Sequence, residues 1–394
     1  MNKHTLASHN IKLLFWGHLF GNLKFLTPVL TLFYYERGLD ASSILIVMLF
    51  FSIGVLVGEL PTGIFADRYG AKAAFIFGSI LAVISHGLLL VAFEPWVFFL
   101  SSFLYGFAAT FFSGADEALI YESLKMSGEQ NLMEKAMGII QSAGFIITIF
   151  VVLIGAFIAK DLSEAQFRLL IILGVCFQSI QVILSFRIIN PVTQGTYREN
   201  PFLQIKEGLA VIRNNTAVLW MFLNITLVFI PTAAVFEQFD QKLMVDAGLP
   251  VAWIGVIYAA GASIAFMTSR SISLITSRIN RIHLLKLTGY TGAAGLFIVG
   301  MIGDVLPLIL FIVLLMRVVK AIRYPVYSQL SNEYFSSKVR ATTISLLSMT
   351  DSLCDLLLFG SFAGMAAFGF SYMFLAGGIV AIIGAMLPIR QKFN

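Results

Sequence analysis

The sequence predicts an all-α integral membrane protein of twelve spanning helices, and three observations carry that expectation. Of its 394 residues 58% are hydrophobic and only 12% charged, against about 25% charged in soluble domains, and the mean hydropathy is +0.89. Apolar runs of the roughly 20 residues needed to span a bilayer recur from end to end, which leaves no room for a large soluble domain. The basic residues are also unevenly placed. With both termini in the cytoplasm, every one of the 26 Lys and Arg residues falls on that side or at the inner helix ends, except Arg37, Lys160, Arg168 and Lys242 outside and Lys24 in the membrane. Basic loops stay inside, so the net charge of +5 is a topology signal and gives no sign of nucleic-acid binding.

Taken in order, the polar lead MNKHTLASHNIK is short and no small-residue cleavage site follows its apolar run, so the first helix, Ile11–Tyr35, is retained and not removed as a signal peptide. Ile44–Ala66, Ala73–Phe93 and Trp96–Leu119 follow, then Lys135–Ile158 and Phe167–Arg187. The longest polar segment comes next, broken by Pro191, Gly195 and Pro201. In it Phe202, Ile205, Leu209 and Ile212 recur at helical spacing, which predicts a short amphipathic helix on the membrane surface. The second six spans are Thr216–Phe236, Val251–Arg270, Leu284–Ile302, Val305–Arg323, Ala341–Ala363 and Phe370–Pro388. The expected organisation is a bundle over 1–190, a cytoplasmic linker over 191–214 and a second bundle over 215–394.

Between the second and third spans lies GELPTGIFADRYGAK. Gly63, Asp67, Arg68, Gly70 and Lys72 follow the spacing G-x-x-x-D-[RK]-x-G-x-[RK]. Glycines allow a tight turn, Asp can accept N–H groups at a helix N-terminus, and the basic residues hold the turn at the cytoplasmic face. The spacing resembles the signature loop of the major facilitator superfamily of secondary transporters. That resemblance implies two pseudo-symmetric six-helix bundles, a substrate site near the midplane, and cavity-lining first, fourth, seventh and tenth helices. It also implies an acidic residue at the inner end of the fourth helix, Asp116 or Glu117, answering Arg68 or Lys72, while Asp67 meets the turn around Arg340 to Thr343. Some positions depart from the pattern. Ala71 stands where a basic residue is usual, and the corresponding loop Ser269–Lys286 keeps Arg270, Arg278 and Arg281 without the motif's order. The fourth helix lacks the mid-helix Arg, and the fifth the Gly-Pro pattern, of proton-coupled drug exporters.

Ionisable residues inside spanning helices are costly and mark functional sites. Lys24 lies midway along the first span, with Gly17, Gly21, Thr27, Pro28 and Thr31 near its face by helical spacing. Arg317 lies just past the middle of the tenth, so both are candidate substrate contacts for an anion or partners of buried carboxylates. Arg323 reads as a surface anchor. Asp351 and Asp355, four apart on one helix face, are candidate proton carriers or counter-ions of Arg317 and Lys320, and Glu59 is a third proton-coupling candidate. Glu237 and Asp240, in FEQFDQKLM, read either as substrate contacts at an external mouth or as a solvated helix end. The neutral residues His18, Asn22, His86, Gln141, Gln178 and Gln181 read as interhelical hydrogen-bonders; Asn224, on a cavity helix, is the one taken as a substrate contact.

No phosphate-binding loop, nucleophile elbow or zinc-protease motif occurs. Cys176 and Cys354 have no partners at ligand spacing, so no catalytic residue, cofactor or metal site is expected. The expected function is a monomeric transporter in the cell membrane. It would move a small organic solute, anionic or metal-chelating such as a carboxylate or siderophore, by alternating access coupled to protons. Efflux of amphiphilic drugs by proton antiport is the alternative, prompted by 37 Phe and 14 Met, and a non-transporting receptor or channel is a minor one.

Overall fold

The computed structural model describes residues 5–113, 115–191, 216–334 and 340–389. The linker and its amphipathic helix lie outside these residues, as does the Asp67 side chain, and the side chains around Arg340 to Thr343 are likewise not described. Among the described residues the secondary structure is helical throughout: α1 (Leu6–Gly21), α2 (Leu30–Glu36), α3 (Ala41–Tyr69), α4 (Ala71–Leu88), α5 (Pro95–Phe112), α6 (Ala115–Met126), α7 (Met133–Ile158) and α8 (Glu164–Phe186). After the linker come α9 (Thr216–Phe229), α10 (Phe236–Asp246), α11 (Val251–Arg270), α12 (Ile272–Arg278), α13 (Arg281–Met301), α14 (Leu306–Tyr334), α15 (Arg340–Ala366) and α16 (Phe370–Met386). Among the described residues, eight segments are long and apolar enough to cross a membrane by length and composition. The other four expected crossings are also helical: α1 with α2, α14, α15 and α16.

The chain divides into two compact units, one within Met1–Gly38 and Val47–Tyr197, the other within Leu39–Ile46 and Arg198–Asn394. In the first, Ile11, Leu14, Phe75, Leu119, Ile120 and Leu124 form a buried apolar cluster. Membrane helices gain little hydrophobic driving force from meeting one another, so packing and interhelical hydrogen bonds hold the bundle. Asn10 supplies several of the latter. Its amide donates to Ser123 Oγ at 2.9 Å and to the Ile189 carbonyl at 2.8 Å, and its oxygen accepts from the Ile189 N–H.

The first span is not one helix, contrary to the expected continuous run over 11–35. It stops at Gly21 and resumes through a 3₁₀ turn, Thr27–Val29, into α2. Pro28 has no N–H and disfavours helical geometry at Thr27. Local turns take up part of the freed backbone: the Lys24 N–H donates to the Asn22 carbonyl at 2.8 Å and the Thr27 N–H to the Lys24 carbonyl at 3.1 Å. Helix α7 passes against the break at Gly155, where a Cβ would collide with the Phe25 carbonyl oxygen, so only glycine fits. By contrast, Pro61 and Pro325 are carried inside α3 and α14 without ending them.

In the second unit Leu284, Leu285, Ile322, Val326 and Leu330 build the buried cluster. The long segment over 217–246 is interrupted by a π turn, Ile230–Val235, that contains Pro231. An extra residue in a helical turn rotates everything after it by about 100°, which re-aims the side chains of α10 relative to α9.

Candidate functional site

The break in the first span opens onto a cavity of about 410 Å³ whose lining residues all belong to the first unit. Lys24 projects from the broken backbone, donates a hydrogen bond to the Tyr105 hydroxyl, and its ammonium lies 4.2 Å from the Tyr105 ring centre. Of the neighbours expected for Lys24 by helical spacing, Thr27 lines the same cavity, although the chain at Lys24 itself is not helical. Leu26, Leu30, Leu89 and Val152 make much of the wall apolar, while Ser85, His86 and Gln178 are polar points on it. Gln178 is 1% exposed, and neither its amide nitrogen nor its oxygen has a hydrogen-bond partner among the described residues; the buried Nε2 of His86 is likewise without one. Among the described residues no aspartate or glutamate lines the cavity.

In the second unit α10, α11 and α14 bring together a compact ionic cluster. Arg317 spans two carboxylates, with Nη1 at 2.7 Å from Glu237 Oε1 and Nη2 at 2.9 Å from Asp240 Oδ2. Lys320 Nζ lies 2.9 Å from Glu237 Oε2. Tyr258 donates to Asp240 Oδ1, and the Arg317 guanidinium sits 5.0 Å from the Tyr258 ring centre. Asp240 is 0% exposed, so it is neither a solvated helix end nor part of an open mouth. Spacing of three puts Glu237 and Asp240 on one face of α10, and spacing of three does the same for Arg317 and Lys320 on α14. The match between the two pairs yields two cations on two carboxylates.

That match corrects an expectation about α15. Arg317 and Lys320 are answered by Glu237 and Asp240, whereas Asp351 accepts the Thr226 hydroxyl at 2.8 Å. Asp351 and Asp355 are both partly buried on α15, and Glu59 is half-buried on α3. Asn224 is also corrected as a substrate contact. It is 1% exposed, donates to the Gly384 carbonyl at 2.7 Å, and accepts from Arg323 Nη2 at 3.0 Å. With both ends of its amide engaged it is an interhelical strut. Arg323 is not a surface anchor either: it is 3% exposed and also donates to the carbonyls of Leu285 at 2.5 Å and Asn224 at 3.1 Å.

The charged turn between α3 and α4 is tight because Gly70 has φ +84° and ψ 162°, a conformation open essentially to glycine. The Lys72 N–H donates to Asn190 Oδ1 at 3.0 Å. Arg68 is exposed, its guanidinium 5.5 Å from the Tyr69 ring, and Gly63 has open space around it. Asp116 pairs at 2.9 Å with His18 of α1, not with Arg68 or Lys72, because α6 packs its first turn against α1; Glu117 is exposed.

Sequence reasoning missed Tyr105, Tyr258, His86 and Gln178 as site residues. Tyrosines and isolated amides are common helix-packing residues, and no spacing rule separates those that pack from those that line a cavity. The one usable signal was Thr27-Pro28, which foretells a break beside Lys24.

The Major Facilitator Superfamily profile matches residues 19–356. An uncharacterised MFS-type transporter, YxaM of Bacillus subtilis (strain 168), is 22% identical over 372 residues, 92% of this chain and 90% of that protein. The multidrug resistance protein MdtH of Photorhabdus laumondii is 25% identical over 245 residues, 62% of this chain and 58% of its own length. Among solved structures, a point mutant of the nucleoside transporter NupG superposes with a TM-score of 0.78 at 14% identity, covering 97% of this chain and 98% of that one. A D-xylose-proton symporter gives a TM-score of 0.69 at 16% identity, covering 96% and 95%.

Proposed function

We propose that this chain, which belongs to the Major Facilitator Superfamily, couples the alternating-access movement of a small organic solute to protons. A membrane-embedded transporter with no nucleotide-binding motif must draw on a gradient. The observation that carries proton coupling is the full burial of Asp240 within the Arg317 cluster. A buried carboxylate must be neutralised by a cation or by a proton, so Asp240 and Glu237 can exchange Arg317 for H⁺ as the helices around them rearrange. Asp351, Asp355 and Glu59 are the alternative proton carriers. The turn formed by Gly63, Asp67, Arg68, Gly70 and Lys72, with Asp116 and Glu117, is assigned to gating. The protein acts as a monomer in the cell membrane with both termini in the cytoplasm, the side its Lys and Arg residues favour.

The test is solute-dependent proton movement in proteoliposomes loaded with a pH-sensitive dye, with solutes chosen by thermal-shift screening, since a ligand stabilises the state it binds. Asp240→Asn should abolish the solute-driven pH change and spare counterflow exchange. A normal pH change in both Asp240→Asn and Glu237→Gln would refute the coupling assignment. A second reading, multidrug efflux by proton antiport, is favoured by the similarity to MdtH proteins. Proton-driven extrusion of a lipophilic cationic dye from the same vesicles would select it over carriage of an anion.

A further inference from the structure

We infer that the cavity at the break in the first span is a binding site for a monoanionic amphiphile, a molecule with one carboxylate and an apolar body. The inference names the solute class and rests on the transport reading for what the bound molecule is used for.

Three features define the ligand. The first is charge: among the described residues Lys24 is the single cationic side chain on the wall apart from the imidazole of His86, and no carboxylate lines it. Lys24 is engaged by a neutral hydroxyl, that of Tyr105, so its charge is hydrogen-bonded without being balanced. One uncompensated positive charge in a low-dielectric pocket favours one negative charge; a second carboxylate on the ligand would find no cation and would lose its hydration.

The second is shape and polarity. About 410 Å³ is at the small end of the range for sites that enclose drug-sized ligands, about 300–1,000 Å³. Leu26, Leu30, Leu89, Val151 and Val152 supply the apolar part of the wall, which suits an acyl or aryl body.

The third is a set of polar atoms already buried and unmatched. The Gln178 amide, in a residue 1% exposed, has neither donor nor acceptor satisfied among the described residues, although buried polar groups are hydrogen-bonded as a rule. It lies on the cavity wall with Lys24. A carboxylate offers two oxygens to accept from Lys24 and from the Gln178 amide. The broken helix adds what a continuous one could not: it frees the chain to carry Lys24 on non-helical backbone at the cavity edge, the arrangement in which transporters place irregular backbone where it lines a site.

The test is equilibrium binding to purified protein in a non-ionic detergent, by thermal shift and by titration calorimetry, with three probes of one length: decanoate, decanamide and the dicarboxylate sebacate. Decanoate should bind, and decanamide and sebacate should bind at least tenfold more weakly. In Lys24→Gln the affinity for decanoate should fall ten- to a hundredfold, to about the level of decanamide. Gln178→Leu should weaken decanoate and leave decanamide unchanged. Equal binding of decanoate and decanamide to the unaltered protein would overturn the proposal, and that comparison stands even if a variant does not fold. Failure of all three probes to bind would also overturn it, leaving a cavity that holds water only. No gradient is present in this assay, so failure here is distinct from failure of proton coupling in proteoliposomes.

Discussion

Replacing Arg317 by methionine keeps an unbranched stem beside Gly261, whose position the arginine Cγ approaches, and removes only the charge and the five donors. The two carboxylates then fare differently. Glu237 is 20% exposed and retains Lys320 at 2.9 Å. Asp240 is 0% exposed and retains the Tyr258 hydroxyl but no cation. The loss therefore concentrates on Asp240, and stranding one partner of a buried pair costs about 3–5 kcal/mol. Lys320→Met should cost far less, about 0–1 kcal/mol, because the Lys320 side chain is 41% exposed and exposed pairs contribute little. Adding Asp240→Asn to Arg317→Met removes the stranded charge and should recover more than half of the loss. The assay is equilibrium unfolding in mixed micelles by SDS titration, read by circular dichroism. Equal costs for Arg317→Met and Lys320→Met, or a double variant no more stable than Arg317→Met alone, would refute the account of Asp240 as the dependent partner.

Asn224→Ala should lower stability by about 1–3 kcal/mol, since it leaves buried Arg323 short of an acceptor, while solute affinity stays unchanged; a selective loss of affinity would restore it as a ligand contact. Gly70→Ala forces a side chain into φ +84° and against Asn190 Nδ2 at 2.8 Å, so a loss of about 1–3 kcal/mol is expected in thermal unfolding. Asp40 precedes α3 and accepts the Ser43 N–H at 2.8 Å; hydrogen bonds from Ser43 hold its carboxyl below the usual carboxylate range. A depressed folded value means its contribution is present above the unfolded carboxylate range and is lost as pH falls through the folded one. Asp40→Ala should therefore cost about 1 kcal/mol, as for a lost helix N-cap, at neutral pH and nothing in strong acid, and a cost independent of pH would count against the cap.

The spans were legible because a bilayer demands one thing of every crossing segment, some 20 apolar residues, and composition shows it directly. The ionic cluster was legible only in part. Arg317, Glu237 and Asp240 stood out as charges in apolar surroundings, but their pairing depends on the π turn at Ile230–Val235, which rotates α10, and only Pro231 hinted at it. With the turn overlooked, Glu237 and Asp240 read as an external mouth or a solvated helix end, and Arg317 as an anion contact or a partner of the carboxylates of α15. Asn224 misled for a different reason. A buried amide on a cavity helix looks the same in sequence whether its partner is a ligand or the Gly384 carbonyl 160 residues away. Lys24 was found by its depth, and Thr27 of its expected neighbours shares the cavity with it, but helical spacing does not carry across the break at Thr27-Pro28.

Charge balance then separates the two intramembrane cations that sequence alone treated alike. Around Arg317 two cations face two carboxylates at 2.7 to 2.9 Å, so the cluster is neutral, and an incoming anion would have to displace a carboxylate already in place. Around Lys24 the described lining offers hydroxyls, amides and an imidazole but no carboxylate, so an anion would gain the lysine without breaking an existing ion pair. A neutral, internally satisfied cluster suits a switch that changes partners, whereas a singly charged, unbalanced cavity suits a ligand. The division also predicts how the sites respond to salt. Decanoate binding at Lys24, in a cavity open to the ligand, should weaken as chloride competes, while the stability that Arg317 gives to buried Asp240 should hardly change, because buried pairs are poorly screened. Decanoate affinity unchanged between about 10 mM and about 500 mM sodium chloride, a range over which the screening length shrinks several-fold, would argue that Lys24 is not what the carboxylate meets.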